Sequence, residues 1–234
     1  MIDLSRRSTQ PELMDTEPVE AEDFRRCLAD LAAVNRLTLA HRPTFAWLNR
    51  MTAGLPRGTR LSLLDVGYGY GDMLRAIRRW GERRGLRLAL SGVDLNPWSA
   101  LAAAGATPED MDIRYHTGDV FAFRPEGHYD FIISALFTHH LSDPELERFL
   151  RWMERHAERG WFVNDLHRHA VALHGFRALA WAARWHRFVR HDGPLSIARA
   201  FRRADWRARL AAAGVTQARV SWHMPFRLCV ERRK

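Results

Sequence analysis

Apolar positions change period several times along the chain, and each change marks an element. From Ala21 onward, Phe24, Leu28, Leu31 and Val34 recur at three- and four-residue steps. That spacing predicts a helix burying one face. A second helix is predicted after Pro43, carrying Phe45, Trp47, Leu48 and Met51, and Gly54-Leu55-Pro56-Arg57-Gly58 ends it with turn chemistry. From Leu61 short apolar runs replace the helical period. Residues 61–66, 88–93, 113–116, 129–136 and 161–164 read as strands. Helices are predicted between them at 71–84, from Pro97 and from Asp143, with Asp143 as N-cap and Pro144 at the first helical position. Near-continuous apolar strands alternating with helices imply a parallel sheet covered on both faces, an α/β fold.

The rhythm breaks at residues 166–200. They read as one long helical region rich in His, Trp and Arg, ending at Asp192-Gly193-Pro194. A helix at 204–213 follows, and strands at 218–223 and 227–231 are separated only by Met224-Pro225-Phe226, so they form an antiparallel hairpin. Residues 1–20 are polar, contain Pro11 and Pro18, and show no period. They are expected to form a flexible arm with one short turn at Glu12-Leu13-Met14. The expected organisation is therefore an arm (1–20), an N-terminal helical cap (21–58) and an α/β domain (59–234) with a lid insertion (166–200).

Composition narrows the class. The chain has 234 residues, 47% of them apolar, which is enough for one cored domain. Nine Trp and twelve Phe exclude a disordered chain. No run reaches the roughly 18 apolar residues of a membrane span. The polar start, Met1 to Arg7, is not that of a secretory signal. Cys27 and Cys229 lie too far apart for a disulfide scaffold or a cysteine zinc cluster. A cytoplasmic protein is expected. The net charge of +9 changes the picture less than it promises, because 35 of the 36 basic residues are Arg, and Lys234 is the only Lys. The arginines are scattered and often sit beside acids, as in Glu154-Arg155 and Glu158-Arg159. That pattern favours a solvated basic surface over a nucleic-acid groove, with at most a weak attraction to acidic membrane surfaces.

The strongest chemical signal is Asp65-Val66-Gly67-Tyr68-Gly69-Tyr70-Gly71-Asp72, between a predicted strand and a predicted helix. Glycines let backbone turn sharply and approach a ligand, and helix N-terminal amides donate to it. A dinucleotide loop would follow G-x-G-x-x-G, but the third glycine position of that template is Asp72, whose carboxylate opposes a pyrophosphate. The observed spacing suits a smaller zwitterion. Asp94, ending the second strand before Leu95, is placed to hydrogen-bond a ribose. Gly118-Asp119-Val120 follows the third strand, where an acid and an apolar neighbour suit an adenine ring. The fourth strand runs through Ser134 into Phe137-Thr138-His139-His140, at the end where ligands meet an open parallel sheet.

This ordered set resembles the class I S-adenosylmethionine-dependent methyltransferases, over roughly residues 60–165. His139-His140-Leu141 is similar to a short stretch in members acting on small aromatics and quinones. The resemblance implies a Rossmann-like, mostly parallel seven-stranded sheet with a C-terminal antiparallel hairpin, and S-adenosyl-L-methionine as cofactor. It implies that Gly67, Tyr68, Gly69 and Gly71 line the methionine part, that Asp65 lies near its amino group, that Asp94 and Leu95 hold the ribose side, that Asp119 and Val120 meet the adenine, and that Ser134 lies beside the site. One departure is that both residues between the glycines are tyrosines, Tyr68 and Tyr70. They would narrow the methyl channel, offer hydroxyls to a substrate or spoil the cofactor site.

Of twelve histidines, eight lie between His139 and His191. A phenol attacks a methyl sulfonium poorly until it loses its proton, and a histidine near neutrality is the usual base. His139 or His140 could serve, and His167 is the next candidate. Asp165, His167 and His169 match no specific metal spacing, so no metal is expected. At about 100° per residue Arg177, Arg184 and Arg187 share one face of a 171–189 helix, and Trp181, Trp185 and Phe188 another. Such a lid, with the cap helices, would cover a flat apolar substrate. The expected activity is methyl transfer to a small, phenolic or quinone-like acceptor, most simply at oxygen. The rivals are an RNA methyltransferase and a non-catalytic protein that keeps the fold.

Overall fold

The computed structural model describes residues 2–16, 20–125 and 127–234, apart from the side chains of Asp15 and Ala21. Seven strands form one sheet: β1 (Arg60–Val66), β2 (Arg87–Asp94), β3 (Ile113–Thr117), β4 (Tyr129–Ala135), β5 (Ala157–Leu166), β6 (Arg219–His223) and β7 (Arg227–Arg233). Their spatial order is β3-β2-β1-β4-β5-β7-β6. The first five are parallel, and β7 runs antiparallel to both β5 and β6. This is the α/β arrangement expected, and β5 is longer than its apolar stretch, because β7 pairs along it from Gly160 to Leu166.

Helices cover both faces. Before the sheet come α1 (Leu13–Thr16), α2 (Ala21–Leu37) and α3 (Arg42–Met51). Between strands lie α4 (Asp72–Arg84), α5 (Pro97–Gly105) and α6 (Asp143–His156), followed after β5 by α7 (Ala170–Ala182), α8 (Arg187–Arg199) and α9 (Arg203–Ala212). One core lies on the α6 and α9 side, around Phe149, Trp161 and Trp206. The other lies on the α3 and α4 side, around Trp47, Leu74 and Ile77. Trp47 stacks on Phe162 at 5.3 Å, which seats α3 on the sheet. Chain order reverses between β1 and β4, and ligands of open parallel sheets bind at the strand C-termini beside such a switch.

Three local expectations need correction. Ser142, not Asp143, caps α6: its backbone N–H and hydroxyl both donate to Glu145, and Pro144 follows within the first turn. Asp143 instead pairs with Arg7 at 2.6 Å. The 166–200 region is two helices, and its break lies at residues 183–186, where Arg184 takes a φ of 51° and His186 caps α8. Gly193 and Pro194 lie inside α8. Gly193 is there because the Phe176 ring of α7 packs where a Cβ would stand. The faces drawn on a continuous 171–189 helix do not exist, and Trp181 is exposed while Phe188 is buried. Finally, the stretch expected to be a free arm is packed wherever it is described; residue 1 and residues 17–19 lie outside the described residues. Arg7 lies over the Phe201 ring at 3.8 Å, and the Leu13 and Met14 amides donate to the Asp192 carboxylate.

Candidate active site

The loops after β1, β2, β3, β4 and β5 open into one cavity of about 1400 Å³, roofed by α2, α7 and α8. Small-molecule pockets run to about 1,000 Å³, so this one has room for two ligands. On its glycine side, Gly67, Gly69 and Gly71 have φ of 74°, 52° and 71°, which only glycine adopts freely. Gly67 is doubly constrained, since a Cβ there would stand 2.9 Å from the Phe137 ring. The loop is held by Asp94, whose Oδ2 accepts from the Gly69 N–H at 2.9 Å and whose Oδ1 accepts from the Asn96 N–H at 3.0 Å.

Three carboxyls ring this loop. Asp65 is buried, and its Oδ1 has no hydrogen-bond partner among the described residues. Burial, with the like charges of Asp72 and Asp94 nearby, pushes its carboxyl well above the usual range. Burial also raises Asp94, against the opposing Asn96 and Gly69 N–H groups. Burial would raise Asp72 too, but His41, 3.0 Å away, outweighs it and holds that carboxyl below its ordinary value.

Tyr68 and Tyr70 line the cavity. The Tyr68 ring packs 5.0 Å from Tyr115 and fills the space left by Gly92. The Tyr70 ring lies 5.0 Å from the Arg75 guanidinium.

At the other wall, β4 ends in a single helical turn, Thr138–His140. Buried Asp165, from β5, collects this turn. It accepts from the Thr138 hydroxyl, from the His139 N–H at 3.0 Å and, through Oδ1, from His139 Nδ1 at 2.7 Å. Burial opposes the charge on Asp165, but the charge and hydrogen bond of His139 with the Thr138 hydroxyl prevail, and its carboxyl lies far below the usual range. An ionised Asp165 accepts, so Nδ1 carries a proton, and Nε2 is the ring atom left outside this pair. The His139 and His140 rings lie 4.4 Å apart. Beyond them stands Glu12, 4% exposed, from the N-terminal segment.

Most of the residues singled out from sequence meet in this cavity. Asp65, Gly67, Tyr68, Gly69, Asp94, Leu95, Asp119, Val120, His139 and His140 all line it. Leu95 is 72% exposed, at the mouth, and Asp119 is exposed with its Oδ1 accepting from the Phe121 N–H. Three others do not line it. Gly71 faces Tyr115 and Ala103 behind the loop. The Ser134 hydroxyl donates to the Val66 carbonyl at 2.9 Å, tying β4 to β1. His167 lies outside the lining, its backbone N–H donating to the Phe226 carbonyl, with burial and cationic neighbours lowering its pKa. Asp165 is committed to His139, so it does not converge with His167 and His169. Sequence reasoning missed Glu12 and Thr138. No local signal marks Glu12, since nothing in a polar segment says it folds back.

Residues 37–215 match the family model described as "Methyltransferase domain". No curated protein sequence matches the chain. Among solved structures, the plantazolicin methyltransferase BpumL, in complex with a triazolic desmethylPZN analog and SAH, aligns with TM-score 0.66 and 12% identity over 95% of this chain and 94% of its own. A SAM-dependent methyltransferase from Aquifex aeolicus aligns with TM-score 0.62 and 17% identity, over 92% of this chain and 98% of its own. The magnesium protoporphyrin IX methyltransferase from Synechocystis PCC 6803, with bound SAH, gives TM-score 0.53 and 17% identity over 83% and 81%. The chain spans about half, 52%, of an O-methyltransferase-like protein from Nostoc punctiforme PCC 73102 at TM-score 0.54 and 16% identity. Family match, sheet order and glycine loop agree: the chain belongs to the methyltransferase-domain family and has the fold of the class I S-adenosylmethionine-dependent methyltransferases.

Proposed function

We propose that the protein transfers the methyl group of S-adenosylmethionine to the oxygen of a small, phenolic or quinone-like acceptor bound under the helical roof. The observation that carries this reading is the Asp165–His139 pair on the wall of the same cavity that the glycine loop enters. The residues fit the cofactor: the Oδ1 of Asp65, without a partner among the described residues, suits its amino group, and the half-buried Asp94 carboxylate suits its ribose hydroxyls. When bound, S-adenosylmethionine supplies an electrophilic methyl, whose bonding pair stays on sulfur as the acceptor oxygen takes the carbon.

The chain's own residues align, exclude water and handle the proton. Phe24, Leu28, Leu31, Phe176 and Leu179 make the roof apolar, which supports a flat apolar acceptor rather than RNA. Asp165 fixes the His139 ring through Nδ1, and Nε2, on the Glu12 side of the cavity, is the atom that receives the hydroxyl proton. The test is incubation with labelled S-adenosylmethionine and a panel of phenols and hydroquinones. Transfer to oxygen, lost in Asp94→Ala and slowed in His139→Ala at unchanged cofactor affinity, is expected. Transfer to RNA alone, or cofactor binding with no transfer, would sink this reading.

A further inference from the structure

The His139 wall contains more than a base needs. Glu12, His139 and His140 each place one ligand atom within 4.8 Å of the others. His139 Nε2 lies 3.7 Å from Glu12 Oε1, and His140 Nε2 lies 3.9 Å from Glu12 Oε2. Asp165 engages Nδ1, so the ring turns Nε2 toward a carboxylate oxygen of Glu12. These atoms are too far apart for a hydrogen bond. Two ligands each about 2.0–2.2 Å from a tetrahedral ion lie about 3.3–3.6 Å apart, a few tenths of an ångström less than found here. Asp165 behind His139 reproduces the carboxylate–histidine pairing that orients metal-bound imidazoles. Ser196 donates to Glu12 Oε1 at 2.8 Å and fixes the carboxylate in the same way. Arg199 Nε lies 4.0 Å from Glu12 Oε1. Its guanidinium is engaged with the carbonyls of His139, Gln10 and His140, so it props the backbone that carries the ligands.

We propose that Glu12, His139 and His140 bind one divalent transition-metal ion, Zn²⁺ or a close relative, with a fourth position open to the cavity for the acceptor oxygen. Two imidazoles and one carboxylate suit such an ion better than Mg²⁺ or Ca²⁺, and three protein ligands with an open fourth position is the catalytic arrangement. The inference rests on the methyl-transfer reading and deepens it. With the ion in place, coordination replaces proton uptake at Nε2. The acceptor hydroxyl binds the ion, its O–H bond breaks, and the proton leaves to water. The oxygen lone pair then forms the bond to the methyl carbon, the carbon–sulfur pair stays on sulfur, and the neutral ether, a poor ligand, departs. Because Glu12 comes from the N-terminal segment, the ion also ties that segment to the end of β4.

The test uses tag-free full-length protein, stripped with chelator, and titrated calorimetrically with Zn²⁺ and spectroscopically with Co²⁺. One ion per chain is expected, with a tetrahedral Co²⁺ spectrum. Affinity should fall at least 100-fold in the near-isosteric Glu12→Gln and in His140→Ala, and 10- to 100-fold in Asp165→Asn. Hydrogen exchange over residues 8–16 should slow on adding Zn²⁺ to the parent but not to Glu12→Gln. No stoichiometric binding, or equal affinity in Glu12→Gln, overturns the site. Full methyl transfer by stripped protein overturns the ion's role while leaving the proposed function standing. Site-specific Zn²⁺ binding without transfer to any acceptor leaves the site standing and removes the methyl-transfer reading.

Discussion

Asp94→Asn separates cofactor binding from folding. The parent carboxylate is half-buried, and each oxygen already accepts one backbone N–H, from Gly69 and from Asn96. The Ser99 hydroxyl also bonds the carboxylate, and the residue lines the cavity. The amide keeps the shape and one acceptor oxygen, but it loses the charge and turns an NH₂ toward one of the two backbone donors. Leaving that part-buried donor unpaired costs at most about 1–3 kcal/mol of stability. For a chain of this size that is a fall of roughly 2–4 °C in Tm per kcal/mol, so the protein stays folded. A hydrogen bond from a ribose hydroxyl to a charged acceptor contributes about 1.5–3 kcal/mol. Its loss weakens cofactor binding about 10- to 150-fold. The assay is calorimetric titration of parent and variant with S-adenosylmethionine and with its demethylated product, beside thermal melts of both. Affinity within twofold of the parent, in a variant whose melt shows it folded, would refute the assignment of Asp94 to the ribose.

Other outcomes follow from the same geometry. Asp165→Asn breaks the buried pair with His139 and should cost roughly 3–5 kcal/mol at neutral pH. Because the Asp165 carboxyl is depressed in the fold, its contribution is present above the unfolded carboxylate value of about 4 and is lost as pH falls below it. Urea titrations should therefore show parent and variant converging at low pH; a gap unchanged between pH 7 and pH 3 would count against the pairing. Asp65, whose carboxyl is raised, should ionise when the cofactor's cationic amino group docks. Binding should then release protons and tighten with rising pH, read from titrations in buffers of different ionisation enthalpy, and Asp65→Asn should abolish the release. Gly67→Ala meets both a left-handed backbone and the Phe137 ring. It should lose at least about 1–2 kcal/mol in thermal melts, and an unchanged Tm would mean that the loop adapts.

Sheet, helices and glycine loop were legible because each is written in local sequence. Strands β1 and β4 are apolar runs buried on both sides, and the Gly67–Gly71 loop needs glycine wherever its backbone turns left-handed. Asp94 and Asp119 were legible through their place at strand ends, which a parallel sheet brings to one edge. Ser134 and His167 lie on or beside β4 and β5 but do not line the cavity: the Ser134 hydroxyl is spent on the Val66 carbonyl, and the His167 backbone is held by Phe226. The break in 166–200 was misplaced because Gly193-Pro194 is turn chemistry by composition, whereas Gly193 exists to admit the Phe176 ring.

By itself, then, the sequence determined the elements, the sheet class, the family and the glycine-loop side of the cavity, all of which follow from periodicity and from backbone demands of neighbouring residues. Tertiary structure alone decided the other side. Glu12 reaches His139 across 127 positions of chain, by arithmetic on their numbers, only because Arg7, Asp192 and Arg199 fold the N-terminal segment back onto the ends of the strands. Asp165 chooses His139 over His167 only because β5 lies beside β4. Such pairings depend on distances between remote backbones, which no local pattern encodes.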